Sequence, residues 1–152
     1  MRKTTHPIAA LCACLVLSGS ALAQQAPAAP GTPAGTAGGL TLELNALKPV
    51  EAGCQVTFLA GSTLGAPLDR LTYEFAFFDA SGSIDRLLAV DFKGLGAGKS
   101  KVIQFALDGL PCDNISRVLI NNAAACEGAG VAPTACLDQL TTTTRPTVTF
   151  GV

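Results

Sequence analysis

From residue 40 onward, apolar and polar side chains alternate with a period of two. Leu40, Leu42 and Leu44 alternate with polar residues, and the pattern recurs over 71–77 and 102–107. This period places successive side chains on opposite faces of a strand, so that one face is buried and the other meets solvent. It predicts about seven short strands, whose inward positions include Val56, Phe58, Tyr73, Phe75, Phe77, Ile84, Leu88, Val90, Phe92, Ile103, Phe105, Leu107, Val118, Ile120, Val148 and Phe150.

Turn sequences separate the alternating segments. Residues 79–83 contain the glycine that a hairpin loop needs, and 94–98 and 108–111 are further glycine-containing turns. No segment has a convincing amphipathic helix pattern, and 123–125 and 135–140 could form a helical turn only within a loop. The chain is therefore predicted to be all-β, an immunoglobulin-like antiparallel β-sandwich, with a small β-barrel as the alternative.

The N-terminus has the organisation of a secretory signal peptide. Arg2 and Lys3 are positive, residues 8–17 are apolar, and Ala21-Leu22-Ala23 provides the small residues of a cleavage site. The apolar segment has about 10 residues, whereas a membrane-spanning helix needs ~20. Residues 1–23 are thus predicted to be removed, which leaves a periplasmic or secreted protein with no membrane span. A retained anchor, or a lipid on Cys12 or Cys14, is the alternative.

Residues 24–39 differ in composition from the rest of the chain. They carry no charge and no large apolar side chain, and they are rich in Pro, Gly and Ala. Such a segment cannot bury enough apolar area to offset the entropy lost on ordering, so it is predicted to be a flexible tether. The folded domain is predicted to span 40–152.

Removal of the signal peptide changes which chemistry the chain can perform. The one histidine, His6, lies in that peptide, so Ser-His-Asp and Cys-His catalysis and histidine-containing metal sites are excluded. The mature chain keeps 8 basic and 11 acidic residues, a net charge of −3, without the clustered basic face of a nucleic-acid-binding protein. We expect no enzymatic activity, no catalytic residue, no cofactor, no metal and no nucleic-acid partner.

Four cysteines remain after processing: Cys54, Cys112, Cys126 and Cys136. An even number in a small exported protein predicts two disulfides. A zinc site made of all four would need paired short spacings, but 57, 13 and 9 residues separate them.

The predicted topology selects one of the three possible pairings. Cys54 begins the second predicted strand and Cys112 lies just before the sixth. In an immunoglobulin-like sandwich these strands face each other and run the same way, so both cysteines lie at one end. Cys126 follows the sixth strand at the opposite end, in the same loop as Cys136. Because bonded cysteines have Cα atoms within ~7 Å, we predict the pairs Cys54–Cys112 and Cys126–Cys136.

Two segments resemble a known domain type. Residues 73–82, followed by 95–99 and Phe105, resemble the FxLYD-type immunoglobulin-like domains of exported bacterial proteins. With its four cysteines and the run 117–121, the mature chain is similar to a family of exported alphaproteobacterial proteins often labelled Tat pathway signal sequence domain proteins. The resemblance implies a periplasmic sandwich and no known activity, although this chain lacks the Arg-Arg pair of a twin-arginine signal.

Three carboxylates flank one predicted hairpin: Asp79, Asp85 and Asp91. Their spacing does not match a calcium loop, so we interpret Asp79 as an acceptor for the backbone N–H groups of its own turn. Glu74 and Asp85 lie at outward strand positions and are interpreted as solvated. Asn121 and Asn122 are interpreted as the turn that ends the sixth strand.

Two classes of function are compatible with these features. The first is a non-enzymatic structural or protein-interaction module of the bacterial cell envelope, with an envelope protein as its partner. The second is a small-ligand or accessory binding protein that uses the predicted long loop 123–144, because loops of this length are often functional.

Overall fold

The computed structural model describes residues 38–152, so the predicted signal peptide and residues 24–37 of the predicted tether lie outside the described residues. The helical elements are a single 3-10 turn, Cys112–Asn114, and a one-turn helix, α1, which spans Ala135–Asp138. No helix in 38–152 has the length and apolar character that crossing a membrane requires. The strands are β1 (Leu40–Val50), β2 (Gly53–Ser62), β3 (Leu68–Phe78), β4 (Ile84–Leu95), β5 (Ser100–Asp108), β6 (Arg117–Glu127), β7 (Leu140–Thr144) and β8 (Thr149–Gly151).

These strands form two four-stranded sheets, which confirms the predicted β-sandwich. The first sheet has the order β5-β2-β1-β7 and the second the order β4-β3-β6-β8. The two sheets remain separate, so the alternative of a closed small barrel is wrong. The β1–β7 and β6–β8 pairs are parallel, whereas every other pair is antiparallel.

The core lies between the inner faces of the two sheets, where the predicted inward residues of β1, β2 and β3 are buried. Phe58 is at the centre of an aromatic cluster. Its ring stacks on that of Phe75 with centroids 4.7 Å apart, and the rings of Phe92, Phe105 and Phe150 lie 5.5–6.1 Å away. Burial of this much aromatic area from both sheets is the main attraction that holds the sandwich closed.

One predicted inward residue points outward. Ile84 is 56% exposed, because the β3–β4 register shifts between Phe77, which pairs with Arg86, and Phe78, which pairs with Ile84. The extra residue, Asp85, forms a bulge. Since side chains alternate with a period of two, a one-residue shift moves Ile84 to the opposite face.

The segment 123–144 is not the long loop that the sequence predicts. Strand β6 continues to Glu127, α1 follows, and the threonine run 140–144 forms β7, which makes eight strands rather than seven. Residues Ala123 and Ala125 pair with the central strand β3, so tertiary pairing overrides the weak strand preference of alanine. Only 128–134 remains as a loop between β6 and α1.

Candidate interaction surface

Both predicted cysteine pairs lie at disulfide distance. The sulfur atoms of Cys54 and Cys112 are 2.03 Å apart with their Cα atoms at 4.8 Å. Those of Cys126 and Cys136 are 1.97 Å apart with Cα atoms at 5.8 Å. Cys126 lies within β6 rather than after it, and its bond attaches α1 to the second sheet. The four cysteines are therefore structural in this fold.

The one tyrosine of the chain is a buried anchor for the same helix. Tyr73 is 1% exposed, and its hydroxyl donates a hydrogen bond of 2.6 Å to the carbonyl oxygen of Cys136. Burial raises the pKa of the Tyr73 hydroxyl well above its usual value, because the phenolate would lose its hydration. The alternating pattern predicts that Tyr73 faces inward, but it carries no signal for this polar partner.

We expect the protein to lose stability above about pH 10. The unfolded chain ionises Tyr73 near its ordinary pKa of about 10, whereas the folded state keeps the proton to a higher pH. A group whose folded pKa is raised stabilises the fold fully below the unfolded pKa and loses that contribution as pH rises. Because the chain has one Tyr and no Trp, the absorbance of tyrosinate measures this ionisation directly.

Tyrosinate absorbance and circular dichroism should change together as pH is raised. In Tyr73→Phe, which also loses about 1–2 kcal/mol with its buried hydrogen bond, the alkaline decline should be shallower. Ionisation of Tyr73 while the circular dichroism remains native would contradict the burial of its hydroxyl.

The predicted carboxylates occupy separate, locally satisfied positions. The Asp79 Oδ1 atom accepts bonds from the Ser81 hydroxyl at 2.6 Å and from the backbone N–H groups of Ser81 and Ser83 at 2.9 and 3.0 Å. These bonds, the Ser81 hydroxyl first, lower the pKa of Asp79, and the turn interpretation is confirmed. Asp85 pairs with Arg86 and Asp91 with Lys93. Within 38–152, no three His, Cys, Asp or Glu side chains cluster as metal ligands.

Asn121 and Asn122 lie inside β6, so their interpretation as a turn is wrong. The Asn121 side-chain amide donates to the carboxylate of Glu74 on the neighbouring strand β3. This pair occupies the outer face of the second sheet, which is the face turned away from the core.

The same outer face carries a group of apolar side chains. Strand register places Leu87, Ala76 and Leu119 in one row across β4, β3 and β6, and places Ile84 beside Phe78 in the next row. Leu87 and Ile84 are each 56% exposed. Ala76 is only 1% exposed although it lies on the outer face, since its larger neighbours cover it. We call this surface the outer apolar patch; it comprises Ala76, Phe78, Ile84, Leu87 and Leu119.

A cation borders the outer apolar patch. The Arg117 guanidinium carbon lies 5.2 Å from the centre of the Phe78 ring, a distance at which cation–π attraction operates. Arg117 is exposed, and no carboxylate of the described residues forms an ion pair with it. Its charge is therefore available to a carboxylate from outside the fold.

The first sheet offers a comparison for this patch. Val102 on β5 is 57% exposed, and register places it beside Leu59 of β2. Leu59 in turn lies beside Glu43 of β1, whose carboxylate accepts a bond from Arg145 at 2.7 Å. Val102 thus has one apolar neighbour in its row, and the next residue in that row carries a charged carboxylate. Such scattered residues are common on protein surfaces, whereas contiguous apolar patches mark interaction sites.

Three clefts are lined by Cys112 or by residues of the predicted long loop, and one of them, of 370 Å³, lies between 49–53 and 109–113. Beside Cys112, a cleft of 570 Å³ is lined by Leu47, Pro49, Asp113, Ile115, Ser116, Pro146, Thr147 and Val148. The residues of the predicted 123–144 loop contribute to a smaller cleft of 290 Å³, between 64–66 and 130–139. No charged side chain lines the smaller cleft.

Comparison with known proteins gives little further information. No protein-family model matches the sequence, and no curated protein sequence matches it. Part of the fold is similar to the Salmonella enterica trimeric lipoprotein SadB, at 16% identity and a TM-score of 0.37. The matched region covers 46% of this chain and 40% of that protein. The resemblance to FxLYD-type domains and to the alphaproteobacterial family stays a prediction.

Proposed function

We propose that this chain is an exported, non-enzymatic module of the bacterial cell envelope that binds an envelope protein through the outer apolar patch. The single observation that supports this most strongly is the patch itself. An antiparallel sheet with one face on the core normally presents polar side chains on the other face. Here Ile84 and Leu87 are more than half exposed on that face, and their register partners on β3, Phe78 and Ala76, are apolar as well.

The chemistry of the patch indicates the kind of partner. An apolar surface on the partner would cover Leu87 and Ile84, and a carboxylate at its rim would meet the unpaired guanidinium of Arg117. Addition of a partner strand to the β4 edge is less favoured, because the Lys101 ammonium already occupies the carbonyl oxygens of Phe92 and Gly94. Charged side chains at a sheet edge oppose strand addition.

Export is supported by the two disulfides together with the signal-peptide pattern. Disulfides persist in oxidising compartments such as the bacterial periplasm and are rare in the cytosol. We expect the periplasmic protein to begin at Gln24 without lipid. Intact-mass measurement checks this, and a mass that includes residues 1–23, or a diacylglycerol on Cys14, would contradict it.

Two matched substitutions test the interaction surface. Leu87→Asp and Val102→Asp each place a carboxylate at an equally exposed position on an edge strand. Burial of a leucine contributes about 1.5–3 kcal/mol, so Leu87→Asp should weaken binding of the partner by at least about tenfold. Val102→Asp should leave it unchanged.

Affinity capture from envelope extract, followed by titration of the identified partner, measures both effects. If the captured protein is a second copy of this chain, the patch is a homodimer interface and the proposed envelope partner is wrong. If the partner binds the wild type and Leu87→Asp with equal affinity, the outer apolar patch is not the binding surface.

A further inference from the structure

A slot lies between the outer edges of β4 and β5, where the two sheets separate. It has a volume of 360 Å³, and its inward side chains are Leu88 and Val90 from one sheet and Ile103 and Phe105 from the other. Leu88, Ile103 and Phe105 are only half-buried although they face the core. The ring of Phe105 reaches those of Phe58 and Phe77, at centroid distances of 6.1 and 6.5 Å. We call this the side slot.

Cationic side chains bridge the two edges at both ends of the side slot. At one end, Arg86 of β4 donates to the carbonyl oxygen of Asp108 of β5 at 3.0 Å. At the other end, the Lys101 Nζ of β5 donates to the carbonyl oxygens of Phe92 and Gly94 of β4, at 3.1 and 2.6 Å. Neither cation lines the slot itself, but each lies two residues along its strand from a lining residue, Arg86 from Leu88 and Lys101 from Ile103.

The two cations differ in how their charge is balanced. Arg86 pairs with the carboxylate of Asp85 at 2.6 Å, whereas the half-buried Lys101 ammonium contacts only carbonyl oxygens and forms no ion pair within the described residues. An ammonium has three donors, so Lys101 retains one for a ligand. Asp91 also lines the slot, but its carboxylate is paired with Lys93 Nζ at 2.8 Å.

We propose that the side slot binds a single-chain amphiphile with an anionic head, such as a long-chain carboxylate. The chain lies along Leu88, Val90, Ile103 and Phe105, and the head accepts a hydrogen bond from Lys101. This site is separate from the outer apolar patch, because the slot residues point toward the core whereas Leu87 points away from it. Ligand binding in the side slot therefore does not require a partner on the outer apolar patch.

Calorimetric titration of the mature full-length chain with monomeric decanoate and dodecanoate tests the apolar part of the site. Each methylene that the slot buries strengthens binding by about fourfold, so dodecanoate should bind up to about 15-fold more tightly than decanoate, with one ligand per chain. Binding that does not saturate, or equal affinities for the two chain lengths, would overturn the proposal.

The contribution of the head group is tested at Lys101. A hydrogen bond to a charged group is worth about 1.5–3 kcal/mol, so Lys101→Gln should weaken dodecanoate binding at least about tenfold and leave dodecanol binding unchanged. Lys99→Gln removes an exposed lysine two residues away and should have no effect. If Lys101→Gln lowers the melting temperature, Lys101→Arg, which keeps the charge, should still bind. Equal affinity of Lys101→Gln and Lys99→Gln for dodecanoate would place the head elsewhere and overturn the site.

Discussion

Replacement of both Cys54 and Cys112 by alanine is expected to destabilise the protein by about 4 kcal/mol. The bond closes a loop of about 59 residues, and in the chain-entropy model a cross-link of that length restricts the unfolded chain by this amount. Cys54 is fully buried at the start of β2, so the change also removes packed sulfur from the core. Typical domains are stable by only 5–15 kcal/mol, and the variant should therefore unfold at a much lower denaturant concentration.

The second disulfide provides the matched comparison. The Cys126–Cys136 bond closes about 11 residues, for which the same model gives about 3 kcal/mol. Its loss should loosen α1, which Tyr73 continues to hold through the Cys136 carbonyl. Urea unfolding of the two double-alanine variants measures both values. A larger loss for the short loop, or a Cys54 peptide linked to Cys126 or Cys136 in a non-reducing digest, would contradict the topology.

Phe58→Ala is expected to destabilise the protein by about 3–5 kcal/mol, the range found when a fully buried phenylalanine is truncated in a core. The ring of Phe58 is fully buried and lies near the ring of Phe105 in its own sheet and near three rings of the opposite sheet, those of Phe75, Phe92 and Phe150. Its removal leaves a cavity that the surrounding strands close only in part, because each strand is hydrogen-bonded into its sheet.

Two controls accompany this variant. Phe58→Leu keeps most of the volume and should lose much less stability than Phe58→Ala. Phe78→Ala removes a half-buried ring from the outer face and should change stability by about 1 kcal/mol. Chemical unfolding at equilibrium measures all three. A similar loss for Phe58→Ala and Phe78→Ala would mean that the aromatic cluster is not the centre of the core.

The period-two pattern was sufficient to predict the sandwich and most of its core. Leu40, Leu42 and Leu44, like the apolar positions 71–77, are buried as their alternation indicates. The disulfide pairing followed from the same strand order, because the positions of cysteines relative to strand ends are set by topology rather than by local sequence.

Features that depend on register could not be predicted from the pattern. The bulge at Asp85 reverses the face of Ile84, and nothing in the local sequence signals it. Strand β7 is a threonine run that becomes a strand by pairing in parallel with β1, which is distant in sequence. The outer apolar patch depends both on the bulge, which turns Ile84 outward, and on the pairing of strands that are distant in sequence. Its residues come from β3, β4 and β6, and only their cross-strand register brings them together.

The most direct test of the proposed interaction surface is photocross-linking in living cells. A photoreactive phenylalanine analogue is introduced at Leu87 and, as the matched control, at Val102, which is equally exposed on the opposite sheet. The proposal predicts one discrete adduct with an envelope protein from position 87 and none from position 102, and the adduct should disappear when Ile84→Asp is added. No adduct from position 87, or the same adduct from both positions, would contradict the assignment of the outer apolar patch as the binding surface.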